Sequence, residues 1–351
     1  MSNELKIEQC TITLMRSCNL RCSFCYAKET DYRDNDIIEY NNLTKLIDFC
    51  DEANVKFVVF TGGEPLLYPK FTDILKYIKS KEKKMTATIA TNGVALDNIN
   101  YCKELVNNGL GYIDISLKGE DGNACVKTTG IDCFSQQMNA VRNLASLPIE
   151  FTCSMVLTWE NILTFCEVVK NARENGAKQF SFTFVIDNEK SNLPDSIYVE
   201  KYNPFSLIDS FISQIDRLNS IIDDWWIEYS FPICFYTEEQ LNLLKGKLAA
   251  PCHIHKGNSI TFDTNMNLLP CNMYLEYKMG QFGVDFSSYK EFEKLTCQSS
   301  FKEIKNTLNA LPSKKCSACS YLDSCYGGCP VLWNNYSFDV VSKIRNINEG
   351  V

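Results

Sequence analysis

Six short runs rich in β-branched and aromatic residues alternate along the chain with longer stretches in which apolar positions recur every three or four residues. The runs fall at 10–14, 57–60, 86–90, 112–117, 151–157 and 179–185, and the helical patterns between them at 41–51, 71–81, 98–108, 134–144 and 162–175. This alternation, from residue 9 to about 186, predicts parallel strands joined by helical crossovers. Six such units close into a full or partial barrel of TIM type, with the site at the C-terminal ends of the strands. After residue 187 the alternation stops: a polar link leads to two helical stretches, 204–223 and 237–248. The aromatics there, Trp225, Trp226, Tyr229, Phe231, Phe235 and Tyr236, are read as core rather than as a substrate platform. From 251 onward cysteines dominate, around one hairpin pattern at 261–271. The fold class expected is α/β: a barrel over 1–187, a helical bridge over 188–250, and a small α+β cysteine-rich region over 251–351.

Composition adds four constraints. With 351 residues, 45% of them hydrophobic, there is material for a large core in one domain or two. The start of the chain lacks the basic and apolar segments of a signal peptide, and no apolar run reaches membrane-spanning length, so a cytoplasmic protein with no membrane partner is expected. Eighteen cysteines in a reducing compartment are better metal ligands than disulfides. The net charge of −8 argues against a nucleic-acid partner, and the basic run at 79–84 reads as a solvated helix end.

The densest chemistry follows the first strand, where Cys18, Cys22 and Cys25 are spaced C-x3-C-x2-C and Tyr26 comes next. Three thiolates on one loop suit a [4Fe-4S] cluster, whose fourth iron stays open to another ligand, although zinc sites also use close cysteine pairs. The spacing, the aromatic and the position after the first strand resemble the radical S-adenosylmethionine (SAM) superfamily. That resemblance implies a partial (β/α)6 barrel and a SAM-binding cluster on Cys18, Cys22 and Cys25.

The strand ends extend it. Gly62, Gly63 and Glu64 end the second strand, where glycines admit close backbone approach and a carboxylate can accept from an ammonium. They resemble the superfamily's Gly-Gly-Glu motif, which implies contact with the SAM amino group. By the same resemblance Asn92 and Ser116, at the third and fourth strand ends, are candidates for the SAM carboxylate and ribose, Tyr26 lies beside the cofactor, and Thr158 and Asn161 sit where adenosine is approached. Thr158 and Asn161 read equally well as helix caps. Lys118 stands where the family often has Asp, so its role is open.

The second cysteine field comprises Cys252, Cys271 and Cys297, then Cys316, Cys319, Cys325 and Cys329 in a C-x2-C-x5-C-x3-C run. The run resembles the SPASM extension of that superfamily, with a structural zinc site as the alternative. The resemblance implies that Cys252, Cys271 and Cys329 hold one auxiliary [4Fe-4S] cluster and that Cys316, Cys319 and Cys325 belong to a second. The family's last cysteine is missing, and Met266 replaces a hairpin glycine. Six ligands are assigned where two clusters need eight; Cys234, Cys297, His253 and His255 are candidates for the rest, or an iron stays open. For the two histidines a surface hydrogen-bonding role is the stronger reading.

SPASM-bearing relatives imply a peptide substrate, a ribosomally made precursor that is crosslinked, epimerised or oxidised by a 5′-deoxyadenosyl radical, with flavodoxin or ferredoxin as reducing partner. The eight or so residues before the first strand are read as too few for a peptide-recognition domain. Alternatives are formylglycine formation on a sulfatase, small-molecule radical chemistry with the auxiliary clusters as relays, and a non-catalytic iron–sulfur carrier. The last has no use for Gly62, Gly63 and Glu64.

Overall fold

A computed structural model describes residues 6–30, 35–187, 190–228, 231–249, 252–275 and 277–344; Tyr229 lies outside them. The six expected strands form as β1 (Gln9–Thr13), β2 (Phe57–Thr61), β3 (Thr86–Thr91), β4 (Leu110–Ser116), β5 (Glu150–Leu157) and β6 (Phe180–Phe184), each parallel to the next. The crossovers carry helices α1 (Tyr40–Glu52), α2 (Phe71–Lys79), α3 (Ile99–Asn107), α4 (Gly122–Thr129), α5 (Phe134–Ala145) and α6 (Phe165–Glu174). The fold is therefore the expected mixed α/β architecture built on a large parallel sheet, with a cysteine-rich C-terminal region.

Strand alternation separates two faces. Cys10, Ile12, Val58, Phe60, Ala87, Ile89, Ile113, Ile115, Phe180 and Phe182 are buried in the main hydrophobic core, while Thr11, Thr88, Asp114, Ser116, Thr152, Ser154 and Ser181 occupy the opposite, polar face. Local caps fix where the helices begin. Asn98 Oδ1 accepts from the Asn100 N–H at 3.0 Å to start α3, and Asp121 Oδ1 accepts from the Ala124 N–H at 2.8 Å to start α4.

The sheet runs on past both expected boundaries. Trp225–Ile227 forms β7, parallel to β6, and Ser259–Phe262 forms β8, parallel to β1. Asn267–Leu269 (β9) and Gly280–Gln281 (β10) follow antiparallel, giving the order β10-β9-β8-β1-β2-β3-β4-β5-β6-β7. The stretch expected as one helix at 204–223 divides into Pro204–Ile212 and Ile215–Ile221. Trp225, Phe231, Phe235 and Tyr236 are buried, as core aromatics should be. At the other edge Phe49 of α1 meets Phe262, Phe282, Phe286 and Phe292 edge-on, so the barrel and the C-terminal region share one core. The β8–β9 turn tolerates Met266 at φ 61° because Asp263 Oδ1 accepts from the N–H groups of Asn265 and Asn267 at 2.9 and 2.8 Å. Among the described residues no helix is long and apolar enough to cross a membrane.

Candidate functional site

The ends of β1 and β2 are joined beyond the sheet ladder. Leu14 N–H donates to Thr61 O at 2.9 Å, Gly63 N–H to Met15 O at 2.7 Å and Glu64 N–H to Ser17 O at 3.0 Å. These bonds need both glycines: a Cβ would stand 2.4 Å from Met15 O at Gly62, and 2.1 Å from Ser17 O at Gly63. The close approach they permit is that of the backbone leading into Cys18.

From this root the cysteine loop crosses to α4, where Arg21 N–H donates to Thr129 O at 3.0 Å and Ser23 N–H to Thr128 O at 2.9 Å. Cys18, Cys22 and Cys25 are half-buried on it. Leu20 and Ala27 N–H groups point at the sulfurs of Cys18 and Cys25, each at 3.4 Å. Burial pushes the Cys18 thiol up to about 11, against the Leu20 N–H, and raises Cys22, against the nearby Lys118 ammonium. Iron binding would therefore release protons. Two cysteines not singled out by spacing, Cys125 and Cys133, pack with Leu20 behind Cys18 and Cys22.

Glu64 is fully buried and acts as the hub of the strand ends. Its Oε1 accepts from Leu66 N–H at 3.0 Å and Thr91 Oγ at 2.6 Å, and its Oε2 accepts from Asn92 N–H at 2.8 Å. Burial raises its pKa despite these donors. Two carboxylate oxygens offer about four acceptor positions, so one remains for a ligand. Asn92 Nδ2 donates to Asn19 Oδ1 at 2.7 Å, coupling β3 to the cysteine loop. Ser116 Oγ accepts from Lys118 Nζ at 2.7 Å, and that buried ammonium also lies 5.4 Å from the centre of the Phe24 ring.

Sequence reasoning missed Gln137 on α5. Its Nε2 donates to Asn92 O at 2.7 Å and Ser116 O at 2.9 Å, and its Oε1 accepts from Lys118 N–H at 3.1 Å, so one amide fixes two strand ends. A glutamine on a helix carries no sequence signal for this. Asp114 on the polar face was also missed; burial pushes its carboxyl up to about 6.

Thr158 and Asn161 part company. Asn161 Oδ1 accepts from Thr158 N–H at 2.8 Å and its Nδ2 donates to Val156 O at 2.9 Å, so it closes the turn after β5. Thr158 lines a cavity of about 230 Å³ together with Ser23, Phe24 and Lys28 of the cysteine loop, Asp187 and Tyr336. Tyr26 is half-buried, its hydroxyl inside beside the Arg16 guanidinium; burial pushes its phenol up, and the thiols of Cys25 and Cys271 add to the rise. It thus stands between the two cysteine fields.

The second field divides into two groups. Cys252, Cys271 and Cys329 lie together beside Tyr274; burial lifts each thiol, and the Cys252 thiol pushes Cys271 further, to about 12. Cys234, Cys316, Cys319 and Cys325 line a second, small cavity. Cys297 is exposed after the helix Tyr289–Thr296. His253 pairs with Asn258 at 3.1 Å, while His255 pairs with Asn309 at 2.9 Å and stacks on Tyr326. Among the described residues no three Cys, His, Asp or Glu side chains close on a point as a single ion requires.

Residues 12–172 match the family model of the Radical SAM superfamily. Curated relatives include GTP 3′,8-cyclase of Chlorobaculum tepidum, 32% identical over 144 residues, which is 40% of this chain and 42% of the relative. Fe-coproporphyrin III synthase of Methanosarcina barkeri is 33% identical over 106 residues, 30% of this chain and 26% of the relative. The chain thus spans less than half the length of these curated relatives. Solved structures align over nearly all of it. anSMEcpe with bound AdoMet superposes with a TM-score of 0.70 at 17% identity, covering 97% of each chain. Streptococcus suis SuiB bound to precursor peptide SuiA gives 0.70 at 18% identity, covering 96% of this chain and 76% of SuiB. The motif, the strand-end geometry and the matched segment agree: the chain carries a radical SAM domain.

Proposed function

We propose that this protein is a radical SAM enzyme that modifies a peptide, with the C-terminal cysteines holding auxiliary [4Fe-4S] clusters in the SPASM manner. The carrying observation is coverage. Likeness to the GTP cyclases is confined to part of the chain, whereas anSMEcpe and SuiB, each solved with a peptide bound, share the fold over nearly all of it.

The residues present fit the cofactors. Cys18, Cys22 and Cys25 would hold one cluster, with two backbone N–H groups aimed at their sulfurs. The Arg16 guanidinium is buried next to Tyr26 with Nε and Nη1 lacking a protein partner, which suits an anionic group between the cysteine fields. Glu64 has an acceptor position for an ammonium; Gly62, Gly63 and Asn92 touch the cysteine loop or the backbone leading into it, Tyr26 follows it, Ser116 reaches it through Lys118, and Thr158 shares its cavity. Together the cluster and SAM, when bound, supply a carbon radical that removes a hydrogen atom from substrate. The protein's part is positioning: Glu64 and Gln137 lock the strand ends, and the cavity beside the cysteine loop offers Lys28 and Asp187 to a peptide's charged groups. A one-electron donor of the flavodoxin or ferredoxin class completes the system.

The test is mass spectrometry of precursor peptides encoded beside the gene, incubated with reconstituted protein, SAM and reductant. A mass change in a peptide is expected, and GTP incubated in parallel should remain intact. A GTP-derived product with no peptide changed would favour small-molecule chemistry.

A further inference from the structure

Resting on the auxiliary-cluster reading above, we infer that Cys234 is the fourth ligand of the cluster held by Cys316, Cys319 and Cys325, which leaves the Cys252, Cys271 and Cys329 group as the one with an open iron. Residues 330–351 contain no cysteine. The fold brings a replacement from some eighty residues upstream, in the segment between β7 and β8. Cys234 lines the same cavity as Cys316, Cys319 and Cys325, walled by Pro232, Pro312 and Trp333. Four thiols on one cavity match the ligand number of a cubane cluster.

The turn carrying Cys234 is fixed onto the cysteine run. Ile233 N–H points at Cys325 Sγ at 3.3 Å, and a Cβ on Gly328 would stand 2.9 Å from Pro232. Phe235 is fully buried and meets Trp333 edge-on at 6.0 Å. The competing candidates are engaged or exposed: Cys297 is exposed, His253 is paired with Asn258, and both ring nitrogens of His255 have partners in Asn309 and Gly328 O. A four-cysteine cluster in an apolar cavity has no vacant iron and serves as an electron relay and as a staple between bridge and tail. The vacancy then falls to Cys252, Cys271 and Cys329, on the side of Tyr26 and the first cysteine loop, where a substrate thiolate could bind.

The experiment compares full-length protein reconstituted anaerobically, as wild type, Cys234→Ala, Cys234→Ser and Cys297→Ala, by iron analysis and by EPR of the reduced and oxidised states. Wild type and Cys297→Ala should each hold about twelve irons with identical spectra. Cys234→Ala should lose about one to four irons, all from one cluster, with a three-iron signal on oxidation if only one leaves. Cys234→Ser, which preserves packing, should shift the signal of one reduced cluster and leave the other two unmoved. Cys234→Ser spectra identical to wild type, with about twelve irons in both, would overturn this assignment while sparing the auxiliary clusters. Only about four irons in the wild type would overturn both.

Discussion

Cys18, Cys22 and Cys25 occupy a single loop, anchored to the end of β2 and to α4, whereas the seven clustered cysteines of the C-terminal half come from four separate segments. The first site rests on backbone contacts between two strand ends and on one short helix, α4. The second rests on packing: β8 laid against β1, the phenylalanine cluster around Phe49, and Phe235 against Trp333. A ligand set carried by one loop can be read from spacing. A set gathered by the fold cannot, because its members share no local pattern.

The two sites should therefore be separable. Replacing Cys18, Cys22 and Cys25 together by alanine is expected to abolish 5′-deoxyadenosine formation and remove about four irons, leaving the C-terminal EPR signals in place. Continued SAM cleavage by that variant would refute the loop's role.

Gly63→Ala attacks the foundation of the loop rather than its ligands. Its Cβ would meet the carbonyl oxygens of Ser17 and Arg16 at 2.1 and 2.4 Å, and both are backbone atoms that cannot rotate away. A cost of at least about 1–3 kcal/mol is expected, seen in calorimetry as a fall of several degrees in Tm together with poor retention of the loop's iron. An unchanged Tm would mean the strand ends are looser than described.

Much of the first region was legible. The β-branched runs placed β1 to β6 to within about two residues, since strand period and turn residues are local signals. β7 was not, because three residues led by two tryptophans carry no period, and β8 was not matched to β1, a pairing between segments some 250 residues apart. α4 escaped because Gly122, Asn123 and its two terminal threonines are poor helix formers; Asp121 and tertiary contacts hold it. At the site, Glu64 and Asn92 were visible through the glycines beside them, while Gln137 acts through three hydrogen bonds made only after folding.

A smaller effect is expected at Glu64. Gln keeps the size of the side chain but loses the charge that would pair with the SAM ammonium, so the Kd for SAM should rise about tenfold or more by calorimetry. Equal affinity would restrict Glu64 to its hydrogen bonds with Leu66, Thr91 and Asn92.

Smallest is a pH effect confined to the barrel. Burial holds the Asp114 pKa near 6, above the 3.8 of the free side chain, so between these values the folded state keeps a proton that the unfolded state has lost. Stability should fall as pH rises through this window, and Asp114→Asn should flatten the fall and raise Tm at pH 7 by about a few degrees. A wild-type Tm independent of pH from 4 to 6.5 would argue against a buried Asp114 carboxyl. The C-terminal signals should not follow it.

The claim that both cysteine fields hold clusters is tested most directly by counting iron, acid-labile sulfide and zinc per chain in protein purified and reconstituted without oxygen. The account predicts about twelve irons, about twelve sulfides and no zinc. About four irons accompanied by one or two zinc ions would contradict it, leaving the first loop as the only iron–sulfur site and the C-terminal cysteines as a structural zinc fold.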